Sequence, residues 1–322
     1  MIRNSNVVVI LGPTATGKSA LAVTLAKKLT RTKWGGFNGA EIISADSRQV
    51  YKGLDIGTGK ITKEEMAGIP HHLLNVADPR RRYTVVRYIV QARRAIADIT
   101  RRGHLPIVCG GTGFYISALV DGIVLPDVPP NPKLRARLKK ETPETLFNML
   151  LKLDPARAKT IDPKNSRRLI RAIEVAKVLG KVPNLQLTTR PNGPESDRDW
   201  WADNQQSYKT LQIGLALPPE ELKKKISTRL LSRIKSGMIT ETKQLHKQGL
   251  SWKRMEELGL EYRYLAKYLK NEISKSKMVE KLQTEIWRYA KRQMTWFKRD
   301  KKIIWFKPSD TSKISAFVQN FL

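Results

Sequence analysis

The chain has 322 residues, 40% of them hydrophobic, and a formal net charge of +31. It is long enough for one large core or two smaller ones, and it carries a surplus of positive charge that is rare in a globular enzyme without a polyanionic partner, because self-repulsion costs stability and the field draws phosphates from a distance; a solubility adaptation is the alternative. One cysteine, Cys109, excludes an intramolecular disulfide, and no apolar run approaches the ~20 residues of a membrane helix, so a cytoplasmic protein without membrane association is expected.

Val7–Leu11 is an unbroken apolar run, as expected of a strand covered on both faces, and it is too short for a signal peptide. It leads into Gly12-Pro13-Thr14-Ala15-Thr16-Gly17-Lys18-Ser19, which fits G-x-x-x-x-G-K-[ST], and helical spacing follows over Ser19–Leu29. Strand, glycine loop and helix in that order are the context that gives the motif its meaning. The glycines let backbone N–H groups wrap a phosphate, and the helix N-terminus adds partial positive charge. Lys18 is placed to reach the terminal phosphate, and the Ser19 hydroxyl to ligate Mg2+. The motif points to a di- or triphosphate without naming a reaction.

Glu41–Ala45 reads as a second strand ending in Asp46, which the pattern alone makes a helix cap before a polar loop. His72–Val76 reads as a short third strand, Tyr83–Arg101 as a helix, and Leu105–Cys109 as a buried strand broken by Gly110-Gly111, with Cys109 a buried thiol. Alternating strands and helices imply parallel βαβ units with right-handed crossovers, an α/β fold whose ligands sit at the C-terminal strand edge. No hydrophobic run ends in Asp-Glu, the pair that holds the metal in many nucleotide hydrolases, so the phosphate need not belong to ATP. His71 and His72 have no third ligand at zinc spacing and read as hydrogen-bonding residues.

Pro126, Pro129, Pro130 and Pro132 mark a boundary. Helices are expected over Pro132–Glu141, Pro143–Leu153, Ala156–Thr160 and Ser166–Leu179, then a polar loop over 183–209. Leu211–Leu217 returns as a strand, helices continue to about Lys298, and Ile303–Phe306 adds a last strand. The expected division is a catalytic core over 1–126, a mostly helical insertion over 127–209, and the rest of the core over 210–322. Residues 220–302 alone hold 23 Lys+Arg against 10 Asp+Glu, so the excess charge is no mere tail.

Several segments together resemble the tRNA dimethylallyltransferase family, the tRNA isopentenyltransferases: GPTATGKSALA from Gly12, ADSRQVYKGLDIGTGK from Ala45, PHHLLNVADP from Pro70, PIVCGGTGFYISALVDG from Pro106, RLIRAIEV from Arg168 and YAKRQMTWFKR from Tyr289. They run nearly end to end in the family's order. The resemblance implies a P-loop kinase-like parallel sheet core with a helical insertion. The implied reaction is transfer of a dimethylallyl group from dimethylallyl diphosphate to N6 of the adenosine 3′ of the anticodon, with Mg2+ assisting and diphosphate released.

By resemblance, Asp46 is the general base that takes the amine proton, and Thr112 lies near the reacting centre with Lys18. Gly12 to Ser19 and Arg229 hold the diphosphate. Asp46, Ser47, Arg48, Gln49 and Thr112 face the tRNA, as do Arg135, Arg167, Arg168 and Arg171 of the insertion and Tyr262 and Arg263 in the stretch ELGLEYR. Two departures stand out: many members carry Met at the position of Arg48, and ELGLEYR is longer than the usual Gly-Tyr form around Gly259. On the helix ending near Lys298, Arg288, Lys291, Arg292 and Arg299 are expected on an RNA face, and Trp287, Ala290, Met294 and Phe297 on a buried one. A monomer is expected, with tRNA and dimethylallyl diphosphate as partners. Competing readings are an adenylate isopentenyltransferase acting on free AMP or ATP, a non-catalytic RNA-binding protein, and a nucleotide kinase or ATPase.

Overall fold

In a computed structural model of the chain, the structure describes residues 5–121, 126, 128–183 and 208–322. The loop expected over 183–209 falls almost wholly outside them. The described residues divide into two compact units: a core of residues 5–120 and 208–322, and an insertion of residues 121, 126 and 128–183.

The core is a six-stranded parallel sheet in the order β3-β2-β4-β1-β5-β6. Its strands are β1 (Asn6–Leu11), β2 (Gly39–Ala45), β3 (His71–His72), β4 (His104–Gly110), β5 (Lys209–Leu215) and β6 (Ile304–Phe306). The central strands are mostly apolar because helices cover both faces, and Val8, Val9, Ile10, Ile43, Leu105 and Val108 are fully buried. The first helices are α1 (Lys18–Thr32), α2 (Lys63–Met66), α3 (Val85–Arg101) and α4 (Gly113–Val120). Helix α1 lays Leu21, Ala22, Leu25, Ala26 and Leu29 on the sheet at helical spacing. Helix α3 starts where Thr84 accepts a hydrogen bond from the Arg87 amide.

The insertion contains α5 (Pro132–Leu138), α6 (Pro143–Leu153), α7 (Pro155–Ala158) and α8 (Ser166–Leu179) among its described residues. Each begins with a side-chain cap, from Asn131, Thr142, Asp154 and Asn165, and the first three then place proline at N1, where no amide is missed. Its own core packs Leu138, Leu146, Leu150, Leu169 and Ile173. The chain then returns as β5 and continues through α9 (Pro219–Lys235), α10 (Met238–Lys247), α11 (Trp252–Leu258), α12 (Leu260–Leu269), α13 (Lys275–Phe297) and, after β6, α14 (Thr311–Phe321).

Several sequence expectations need correction. The third strand is only His71–His72, because the chain then turns through Leu73 and Asn75 at positive φ, and pairing resumes only as the bridge Tyr51–Ala77. The fifth helix stops at Leu138 rather than Glu141, and the helix expected over Ala156–Thr160 runs Pro155–Ala158. Asp46 caps no helix: its Oδ1 accepts from the Arg48 and Gln49 amides at 2.8 and 3.3 Å and closes a turn.

Candidate active site

Register brings the site together. Ala45 at the end of β2 pairs with Gly110 at the end of β4, and Gly110 pairs with Leu11 at the end of β1. Three adjacent strands therefore finish in one row, and Asp46, Gly111 and Gly12 are the next residues of each. At ~4.8 Å per strand, the Asp46 and Gly12 backbones stand about 10 Å apart, with the Gly110–Thr112 turn between them. A side chain on Gly110 would collide with the Ala45 carbonyl, so only glycine lets β4 sit this close at its end.

The loop after β1 bends through Gly12 at φ 141°, Ala15 at 66° and Gly17 at 86°, and α1 begins at Lys18. The Lys18 ammonium donates to the Pro13 carbonyl at 2.6 Å, and the Thr16 hydroxyl donates to the same oxygen at 2.9 Å. Burial lowers the Lys18 pKa to about 8; Cys109 and Asp46 pull it back up, and Arg229 pushes it further down. Cys109, buried at the end of β4, is pushed up to about 11, chiefly by the same loss of water.

Arg229 reaches this loop from α9. Its guanidinium donates to the Gly59 carbonyl at 3.0 Å and to the Thr14 hydroxyl at 3.4 Å. Burial and the neighbouring Arg233 lower its pKa, yet guanidinium stays charged at neutral pH. One turn along α9, Arg233 donates to the Gly57 carbonyl and pairs with Glu261 at 2.7 Å. The two arginines thus clamp Gly57–Gly59 against the phosphate loop.

Thr112 joins the other two strand ends. Its hydroxyl accepts the Ser47 amide at 2.9 Å, and its amide donates to the Ala45 carbonyl at 3.1 Å. Gln49 donates from its side chain to the Gly59 carbonyl, and Arg48 donates to the Ser47 carbonyl. Tyr289 of α13 belongs here too: burial raises its phenol well above the ordinary value, with Asp46 adding to the rise, and a hydrogen bond with Thr112 opposes it.

Several predicted contacts take different roles. Tyr262 is 1% exposed and donates its hydroxyl to Glu241 at 2.8 Å, so it braces a loop. Glu241 also accepts the amides of Asp55, Ile56 and Gly57, which explains why a buried tyrosine sits there. Arg263 donates to the Glu256 carbonyl. In the insertion, Arg135 and Arg171 pair with the buried Glu174 at 2.6 and 2.8 Å, and Arg171 also donates to the Val128 carbonyl. Arg167 and Arg168 remain exposed at the start of α8. His72 hydrogen-bonds Glu41 at 2.6 Å, and His71 hydrogen-bonds the Ile69 carbonyl.

The sequence reading missed Gln293. The buried stripe of α13 is Ile286, Ala290, Gln293 and Phe297, while Trp287 and Met294 are only half-buried. Gln293, 6% exposed, accepts the Thr14 amide at 2.9 Å and donates to the Gly111 carbonyl at 2.7 Å. One side chain therefore ties the phosphate loop to the glycine turn. Its spacing of three and four from Ala290 and Phe297 was the available signal: a polar residue where helical periodicity requires an apolar one.

Against known proteins, the IPP transferase family model matches residues 49–300 and the isopentenyl transferase model residues 5–80. The chain belongs to the IPP transferase family. It is 44% identical over 298 residues to tRNA dimethylallyltransferase 2 of Treponema denticola, covering 92% of this chain and 93% of the relative. It is 38% identical to the tRNA dimethylallyltransferase of Anoxybacillus flavithermus, over 98% and 94% of the two chains. Among solved structures, the full-length tRNA isopentenylpyrophosphate transferase of Bacillus halodurans superposes with a TM-score of 0.70 at 32% identity, covering 99% of this chain and 97% of that one. A eukaryotic dimethylallyltransferase acting on tRNA gives a TM-score of 0.70 at 29% identity, covering 91% and 70%.

The Lys18 environment has a pH consequence for this family member. With its pKa near 8 in the free protein, Lys18 is mostly neutral at pH 8.5. A diphosphate bound at this loop would favour the charged form, so its binding at that pH should take up roughly three-quarters of a proton per site. Calorimetry in buffers of different ionisation enthalpy measures the uptake. Lys18→Met should abolish it and weaken binding; an uptake unchanged in the variant would assign the proton to another group.

Proposed function

We propose that this chain is a tRNA prenyltransferase that moves a dimethylallyl group from dimethylallyl diphosphate to the exocyclic amine of an adenosine beside the anticodon. The observation that carries the reading is the row of strand ends, which sets the backbone of Asp46 about 10 Å from the start of a phosphate loop. That spacing leaves room for an adenine amine and an allylic carbon between the two.

The step follows from these positions. The N6 lone pair attacks the allylic C1 as the C1–O bond breaks, and the bonding electrons leave with the diphosphate. Asp46 takes the N6 proton, which returns the nitrogen to neutrality. Loop amides, Lys18 and Arg229 stabilise the charge building on the leaving group. Thr112, held on the Ser47 amide, fixes the Asp46 turn against the β4 end.

The residues present suit Mg2+. Among the described residues no group of three carboxylate, histidine or cysteine side chains gathers, so a bound ion would be held by Ser19, diphosphate oxygens and water. Magnesium commonly keeps such a shell. When bound, it would offset negative charge on the diphosphate.

The high positive charge favours RNA over free AMP as acceptor, since a mononucleotide needs no such field. The flipped base would be paid for by phosphate contacts and stacking. Mass spectrometry of tRNA nucleosides after incubation with donor and Mg2+ tests this. The expected product is adenosine heavier by one C5H8 unit; prenylation of free AMP with tRNA unmodified would overturn the reading.

A further inference from the structure

A groove of about 450 Å3 lies outside this machinery, between the segment 76–83 and the first turns of α3. Arg81, Arg82, Arg87 and Arg94 line it, and all four are exposed. Arg87 and Arg94 are seven residues apart on one helix, so they share a face about 10.5 Å apart along the axis. Its acidic lining residue, Asp78, is held by Arg80 at 2.8 Å. Glu257, at the edge, is shared by Arg82 and Arg254 at 3.5 and 3.3 Å. Among the described residues, Arg81, Arg87 and Arg94 form no ion pair.

The lining also holds apolar and aromatic residues. Val76 and Val86 are exposed, and the Tyr83 hydroxyl donates to Gln91 at 2.6 Å. Apolar and aromatic side chains beside arginines suit a ribose and base next to a phosphate chain. Arginine forks match phosphate oxygens in pairs.

Hydrogen bonds tie the groove to the site's own loop. Tyr51, five residues after Asp46, accepts the Tyr83 amide at 3.1 Å and Arg254 at 3.2 Å, and the Lys52 amide donates to the Ala77 carbonyl. The groove is thus bonded to the same loop that carries Asp46.

We propose that this groove binds the phosphate backbone of the substrate tRNA beyond the reacting adenosine. The proposal rests on tRNA being the substrate. The test replaces Arg81, Arg87 and Arg94 together by alanine and compares this protein with a Lys27→Ala/Lys28→Ala/Arg31→Ala control, which removes the same charge from exposed positions late in α1. Fluorescence anisotropy with full-length tRNA should show Kd raised about tenfold or more by the groove variant. Its salt dependence should be shallower by about two, since each phosphate that a cation neutralises adds roughly 0.7–0.9 to the slope. The control should shift Kd less than threefold. Turnover at saturating tRNA and KM for dimethylallyl diphosphate should stay unchanged in both. Arg87→Glu, a single surface change, gives a second variant with the same expected direction. Equal Kd and equal salt slope in groove variants and control would overturn the proposal. Failure of the unaltered protein to prenylate tRNA would instead overturn the functional reading, while anisotropy still scores the groove.

Discussion

Asp46→Asn should leave the fold and tRNA affinity in place and lower prenyl transfer about a thousandfold. Asparagine keeps a side-chain oxygen where Oδ1 accepts the Arg48 and Gln49 amides, so the turn after β2 survives. What is lost is an acceptor for the N6 proton, and general-base catalysis contributes roughly 10²–10⁴ in rate. Single-turnover kinetics with saturating donor and tRNA separate this loss from binding. Asp46→Ala makes the contrast: it removes the turn contacts too and should also weaken tRNA binding. A rate for the Asn variant within tenfold of the parent would reduce Asp46 to a turn residue and remove the proposed base.

The second large effect should come from Gln293→Leu, although Gln293 lies on no loop and carries no charge. Leucine fills similar space but leaves the Thr14 amide and the Gly111 carbonyl without their partner. An unpaired buried polar group costs roughly 1–3 kcal/mol, so a loss of about 3 kcal/mol is expected, the Thr14 side being only partly buried. In a unit of this size that lowers Tm by about 6–12 °C. The phosphate loop would also lose its tie to the glycine turn, and KM for the donor should rise about tenfold with a smaller change in kcat. Melting curves and steady-state kinetics measure both. A variant that melts lower yet binds donor as tightly as the parent would show that Gln293 supports only the fold.

The parts of the site set by contiguous residues were visible in the sequence. The phosphate loop needs glycines at fixed spacing between a strand and a helix, and all its parts are neighbours in the chain. The apolar strands β1, β2 and β4 announced themselves by composition, since a strand covered on both faces has little choice of residue. The helix starts in the insertion were legible for the same reason: Thr142 before Pro143 and Asn165 before Ser166 are local signals. The short β3 was overread because apolar residues continue past His72, whereas Leu73 and Asn75 adopt positive φ that composition does not show.

Residues joined across long stretches of chain were not legible. Gln293 lies 279 residues from Thr14, and Glu241 186 from Asp55, so no spacing rule connects them. Tyr262 and Arg135 were assigned to RNA by motif, yet one is buried against Glu241 and the other is held by Glu174. Their charge or ring says what they are able to contact; only the packed chain shows the partners they have within the protein.

By itself, the sequence determined the phosphate loop, the parallel βαβ character of the first third and a charge that demands a polyanion, because each depends on composition or on neighbours along the chain. Only the tertiary structure decided the register that sets Asp46, Gly111 and Gly12 in one row, that Gln293 ties two of those turns together, and which arginines stay open to solvent. These depend on strand register and burial, which are properties of the packed chain and not of any segment.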